Sequence, residues 1–296
     1  MYDLHIHSNY SDSTDSVEKI IDKVGKTKIK YFSITDHDSA ESAREINSSE
    51  KLQNKIKEKG LTYVPGVEFT CTFMGRDVHI LAYDFDPNSP TIQHFENEFK
   101  NLLKEKDEIR RKAIEDMGYK FSPESIAFMN SCENLRKPDV ANCMVNDGHF
   151  SNISDAIEKV IDKIEYDETF RLKGEEVISK LSSEGVKMVW AHPYYGLGDE
   201  PLTVEQTEFL ATEMKKLGLS GLECFYSLYD NEQIKGLTNI ADKLGLFVTS
   251  GSDYHGRNKD VNLAEISSDG TKDTKNKVKV DKIFVNTISL DEMCFE

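Results

Sequence analysis

His5 and His7 stand two residues apart in a short apolar–polar alternation near the start of the chain. On a β-strand, residues i and i+2 face the same way, so both imidazoles can reach one metal ion. Asp12 follows a few residues later, close enough to swing back over the same site. The pattern recurs along the chain. Six of the eight histidines, His5, His7, His37, His79, His192 and His255, fall on or just after the carboxyl end of a predicted strand. Glu68 lies near the end of another such strand, and Asp253 stands two residues before His255. A lone histidine at a strand end is ordinarily a hydrogen-bonded core residue. Six of them, with carboxylates interspersed, read as a metal centre of imidazole nitrogens and carboxylate oxygens. His94 and His149 fall in a helical segment and read as surface residues.

Strand ends that converge on one face are the arrangement of a parallel β/α barrel. Ser16 reads as a helix N-cap, followed by Val17, Ile20, Ile21 and Val24 at helical spacing. Residues 30–35 form a short buried strand ending in Asp36, His37 and Asp38, and residues 39–59 a helix with Gly60 as its stop. Residues 61–69 form the next strand. A hairpin turning at Met74, Gly75 and Arg76 leads into strand 78–83, which carries His79. Alternation resumes at Glu175. A helix at 177–183 precedes strand 186–191, which ends in His192 and Pro193. Thr203 and Gln206 form a capping box for the following helix. Strand 221–226, a helix over 234–244, strand 245–249, a polar loop at 267–279 and a last strand at 282–285 complete the order. Between 91 and 171 strand character is scarce. Phe95, Phe99, Leu102, Leu103, Ile109 and Ala113 make the apolar stripe of a long helix, with further helical periodicity at 140–146 and 156–164. This stretch reads as a helical insertion.

The chain of 296 residues is 38 % hydrophobic and 30 % charged, a balance that suits one large α/β domain or two small ones. Its formal charge of −16 disfavours a protein that holds long duplex nucleic acid. An anionic small substrate is still compatible, because bound cations invert the local potential. No run suits a membrane span, and the N-terminus lacks a basic flank followed by an apolar core. Cys71, Cys132, Cys143, Cys224 and Cys294 are odd in number and far apart, which reads as reduced thiols in a cytoplasmic protein.

Asp3, His5, His7, Ser8 and Asp12; Thr35, Asp36 and His37; Gly66, Val67 and Glu68; His79; Ala191, His192 and Pro193; and Gly251, Ser252, Asp253 and His255 occur in an ordered series. That series resembles the motifs of the PHP (polymerase and histidinol phosphatase) superfamily, over residues 1–86 and 175–257. The resemblance implies an α/β fold, a distorted seven-stranded (β/α) barrel formed discontinuously by 1–90 and 172–296. The insertion, 91–171, is similar to that of PHP phosphoesterases acting on nucleotides and short oligonucleotides. Three divalent metal ions are implied. His5, His7, Glu68 and Asp253 would hold the first, Glu68 would bridge to a second completed by His79 and His192, and Asp12, His37 and His255 would hold the third. Many family members carry a histidine where this chain has Asp12. A carboxylate is a harder ligand, which nudges the third site toward manganese or magnesium over zinc; the ions implied are manganese, zinc, iron or magnesium, manganese first.

The implied chemistry is phosphate-ester hydrolysis by a metal-bridged hydroxide, with Glu68, Asp253 and His192 as the catalytic set. Glu68 suits a bridge because a carboxylate has two oxygens. Asp36 reads either as a partner fixing a ligand imidazole or as a turn residue capping the next helix. The family's insertion often carries an Arg-Pro-His stretch near the substrate phosphate. The matching run here is Leu135, Arg136, Lys137, Pro138 and Asp139, in which Lys137 loses the bidentate fork and Arg136 could supply one. Tyr226 and Arg257 complete the candidate substrate contacts. The expectation is a cytoplasmic phosphoesterase on a small nucleotide, such as a 3′,5′-bisphosphonucleotide, or on a short oligonucleotide end, with the insertion as a cap. Histidinol-phosphate phosphatase is one alternative, since an acidic pocket would suit a cationic amine. A non-catalytic, metal-stabilised interaction module is another, disfavoured by the complete ligand set.

Overall fold

The computed structural model describes residues 1–132, 135, 137–166, 170–195 and 200–263. The expected strand at 282–285 and the loop at 267–279 lie outside them. The chain divides into two compact units, one of Met1–Phe95 with the described residues from Leu172 on, the other of Glu96–Arg171.

The first unit opens with β1 (Tyr2–Asp3) and α1 (Val17–Val24). The Ser16 side chain accepts from the Lys19 amide, and Val17, Ile20, Ile21 and Val24 are buried, as the spacing requires. Burial stabilises each by roughly 1.5–3 kcal/mol, which holds a helix too short to form alone. β2 (Tyr31–Phe32) follows. Two helices, α2 (Glu41–Ser48) and α3 (Glu50–Glu58), then replace the single one expected. Ser49 leaves helical geometry, and its hydroxyl caps α3 through the Leu52 amide, a backbone competition typical of serine. The expected 61–69 strand likewise divides into β3 (Thr62–Tyr63) and β4 (Gly66–Phe73), because Pro65 between them has no amide to donate. β4 turns into β5 (Arg76–Tyr83) through Met74 at φ 49° and Gly75 at φ 78°, the double left-handed geometry of a tight hairpin.

α4 (Pro90–Asp116) buries Ile92 and Phe95 at one end and Ile114 at the other. Of the expected stripe, Phe95 is buried and Phe99, Leu102, Leu103 and Ala113 are half-buried. Ile109, expected in the stripe, is 45 % exposed, and Asp107 and Arg110 are buried as a pair at 2.8 Å. The second unit continues with α5 (Pro123–Ser131), α6 (Lys137–Asn146) and α7 (Ile153–Lys159). It has a core of its own, built around Phe121, Met129, Val140, Met144, Ala156 and Ile161.

Back in the first unit come β6 (Leu172–Lys173), α8 (Gly174–Ser183), β7 (Lys187–Trp190) and α9 (Val204–Lys216), which carries the capping box at Thr203 and Gln206. β8 (Gly221–Tyr226), α10 (Asn231–Leu244) and β9 (Phe247–Gly251) follow. The architecture is mixed α/β. Among the described residues the strands form two sheets, β1-β2-β3 and β6-β4-β5-β7-β8-β9, and the ladder is not one closed ring. It is not all parallel either: β5 runs antiparallel to both β4 and β7, because a hairpin joins it to β4. Isolated parallel bridges link Ile6 to Tyr254 and His37 to Glu68, and the Asp253 amide donates to the His5 carbonyl at 2.8 Å. These links bring the edges of the two sheets together where the histidines lie.

Candidate metal centre

Beyond β1 the backbone stays extended through His5 and His7, so their rings leave the same face and their Nε2 atoms approach to 3.1 Å. Asp253, just past β9, places Oδ1 3.2 Å from His7 Nε2 and 3.6 Å from His5 Nε2. Glu68 on β4 divides its carboxylate. Oε2 lies 3.1 Å from His5 Nε2, 3.2 Å from His7 Nε2 and 3.2 Å from His37 Nδ1. Oε1 lies 2.9 Å from His79 Nδ1 and 3.2 Å from His192 Nε2. Asp12 closes a third group, 3.0 Å from His255 Nε2 and 3.8 Å from both His37 Nε2 and His7 Nδ1. All nine residues expected as ligands therefore meet in overlapping clusters whose donor atoms lie within 4.8 Å of one another. The grouping departs from the expected sets, which shared only Glu68: His7 also joins the Asp12 group, His37 joins Glu68 and His79, and His192 groups with His5 and Glu68.

Three buried atoms here, Glu68 Oε2, His37 Nδ1 and His79 Nδ1, have no hydrogen-bond partner among the described residues. Each such orphan costs about 1–3 kcal/mol unless something satisfies it. A cation does so, and the donor set of imidazoles and carboxylates fits one. The charge states agree. Burial disfavours every charge in the cluster, but the facing imidazoles, His5 first, outweigh it at Glu68, and His5 and His7 at Asp253, holding both carboxyls well below their usual range. Burial pushes His37 down to about 3 and lowers His79, leaving them neutral and competent as ligands. At His7 burial is outweighed by Asp253 and Glu68, which lift it to about 9, so a proton stands where a metal would displace it.

The surrounding chain sets these rings. Glu223, fully buried on β8, accepts with both oxygens: Oε1 lies 3.0 Å from His5 Nδ1, and Oε2 takes the His192 amide at 2.9 Å. The first contact directs His5 Nε2 into the cluster. The second holds His192 in left-handed backbone at φ 30°, and Asp253 has a similar φ of 55°. Non-glycine residues pay about 1–3 kcal/mol for such geometry, and it is typical of functional sites. Gly251 must lack a side chain, because a Cβ would collide with His5 Cβ and the Glu223 carboxylate. Asp36 matches neither sequence reading. It accepts from the Ser8 amide at 2.7 Å and from the Ser8 and Ser11 hydroxyls at 2.8 Å, and so anchors the loop that carries Asp12.

A cavity of about 330 Å³ opens onto the cluster. Tyr226 lines it, but its hydroxyl donates to Asp253 Oδ2 at 2.9 Å and accepts from Lys259, which leaves it no hydrogen for a substrate. Arg257 does not line the cavity: its side chain is exposed and its amide donates to Thr14 Oγ1. The cation on the cavity wall is Lys259. Lys137, in the second unit, pairs with Asp162 at 2.7 Å, and Arg136 lies outside the described residues. His94 is exposed, and His149 Nε2 meets the Lys120 carbonyl at 2.6 Å. Sequence reasoning missed Glu223 and Lys259. Glu223 had a signal, an acid in the middle of an otherwise apolar strand, since a buried glutamate requires partners. Lys259 had none, because nothing local aims it at the cluster.

The family model of the PHP domain matches residues 3–174. A 3′,5′-nucleoside bisphosphate phosphatase of Chromobacterium violaceum is 24 % identical over 86 % of each chain. A 5′-3′ exoribonuclease of Haemophilus influenzae is 23 % identical over 86 % of this chain and 89 % of its own. Among solved structures, a candidate metal-dependent phosphoesterase from Bifidobacterium adolescentis superimposes with a TM-score of 0.69 at 24 % identity, over 91 % of this chain and 93 % of that one.

Proposed function

The chain belongs to the PHP domain family, and from that premise we propose that it is a metal-dependent phosphoesterase acting on a small nucleotide, such as a 3′,5′-bisphosphonucleotide, or on the end of a short oligonucleotide. The observation that carries this reading is Glu68: a buried carboxylate whose two oxygens face five imidazoles and whose Oε2 has no hydrogen bond among the described residues. Three divalent ions, manganese first, would be held by His5, His7, Glu68 and Asp253, by Glu68, His79 and His192, and by Asp12, His37 and His255. When bound, the ions supply positive charge to phosphoryl oxygens and acidify water. The protein's own part is orientation. Glu223 aims His5, Tyr226 braces Asp253, and Asp36 holds the loop bearing Asp12. The substrate class is supported by the activities of the two relatives, a nucleoside bisphosphate phosphatase and an exoribonuclease.

The two sheets, of three and six strands among the described residues, read as one distorted (β/α) barrel formed by 1–90 and 172–296, supported by the bridges at Ile6 and His37. Residues 91–171 read as the helical insertion, supported by their separate core. Among the described residues Cys71, Cys132, Cys143 and Cys224 form no disulfide, which favours a reducing, cytoplasmic setting. Phosphate release with added manganese tests the function, with adenosine 3′,5′-bisphosphate, a short 5′-phosphorylated oligonucleotide and histidinol phosphate side by side. Turnover of either of the first two is expected. Preference for histidinol phosphate would overturn the substrate class, and silence on all three with metal bound would leave a non-catalytic module.

A further inference from the structure

We propose that Lys259 is the cation that anchors the substrate's phosphate, an inference that rests on the phosphoesterase reading above. Among the described residues lining the cavity, Lys259 is the sole lysine or arginine, while Asp12, Glu68 and Asp253 present carboxylates. Its ammonium donates to the Tyr226 hydroxyl at 2.8 Å and to Asp253 Oδ2. An ammonium has three hydrogens, so two are committed to the wall and one remains for a ligand oxygen. Tyr226 cannot compete for that role, since its own hydrogen goes to Asp253. The Lys259 side chain is 27 % exposed, within reach of a ligand entering the cavity. The same two contacts that leave one donor free also fix where it points. Lys259 thereby replaces Arg257, two residues earlier, whose side chain is off the cavity.

The test uses the full chain reconstituted with manganese. Inorganic phosphate binding by calorimetry, and KM and kcat for adenosine 3′,5′-bisphosphate, are compared for the unaltered protein, Lys259→Met, Lys259→Arg and Arg257→Gln. Bound metal and melting temperature are recorded for each. Lys259→Met is expected to weaken phosphate binding about tenfold to hundredfold, the worth of one charged hydrogen bond, and to raise KM in parallel while kcat changes less. Lys259→Arg should recover most of the loss, and Arg257→Gln should match the unaltered protein. Phosphate affinity within about twofold of normal in Lys259→Met would overturn the proposal. So would a loss that tracks bound metal, which would make Lys259 a prop for Asp253. Lys259-dependent phosphate binding without hydrolysis of any ester would uphold the anchor and sink the catalytic reading instead.

Discussion

Glu68 is a carboxylate deep in the unit with each oxygen assigned to a different set of rings. Neutralising it should be felt more than shrinking it. Glu68→Gln keeps the shape, removes the charge and replaces one acceptor oxygen by a donor. Turnover with saturating manganese is expected to fall by more than about a hundredfold, with unchanged far-ultraviolet circular dichroism. Asp253→Asn should behave alike, and near-native activity in either variant would refute the ligand assignment. Glu223 acts one step back, accepting from a ring and an amide with its two oxygens. Glutamine has one acceptor oxygen, so Glu223→Gln must turn an amino group toward a donor. A tenfold to hundredfold loss of metal affinity is expected, read by metal-binding calorimetry. An affinity equal to that of the unaltered protein would show that Glu223 does not orient His5.

The loop from Ser8 to Asp15 carries Asp12, and it is pinned at both ends. Asp36 holds one end through Ser8 and Ser11. Asp15 holds the other: buried, it accepts from Lys23 at 2.6 Å and from the Tyr254 hydroxyl at 2.6 Å, with Lys19 as a third partner. Burial pushes the Asp15 carboxyl up, but Lys19, Lys23 and Tyr254 outweigh it and hold it at about 2. A carboxyl depressed on folding stabilises the native state above its unfolded pKa, and the stabilisation is lost as pH falls through that value toward the folded one. Here it is on the order of 2 kcal/mol at neutral pH and about half gone near pH 3. Asp15→Asn should therefore lower stability at pH 7, and the gap to the unaltered protein should narrow on acidification. Urea unfolding at several pH values measures this, and a pH-independent gap would contradict the assigned pairing.

At the scale of the whole molecule, the centre ties together segments from both ends of the chain, so whatever binds there also holds the fold. Adding manganese at about 100 times its dissociation constant should stabilise the first unit by about 2.7 kcal/mol, roughly 5–10 °C in melting temperature, and a chelator should reverse it. A melting temperature indifferent to metal would count against the site. Much of this architecture was legible in the chain itself, because some features are decided within a few residues. The alternation of His5 and His7 puts two imidazoles on one face, Ser16 and Thr203 supply hydroxyls where helices start, and Gly75 accepts the left-handed turn of a hairpin. Other features depend on groups far apart in sequence. The pairing of β5 with β7 joins strands about a hundred residues apart, and Glu223 sits 218 residues from the His5 ring it holds. Arg257 and Lys259 are near neighbours of like charge, and the sequence favours Arg257, the one nearer His255. Only the tertiary structure decides between them, because the turn after His255 ties the Arg257 amide to Thr14 and brings the Lys259 ammonium onto Tyr226 and Asp253. Periodicity and capping are local and can be read from sequence, whereas the direction of a side chain on an irregular loop is set by whatever packs against it.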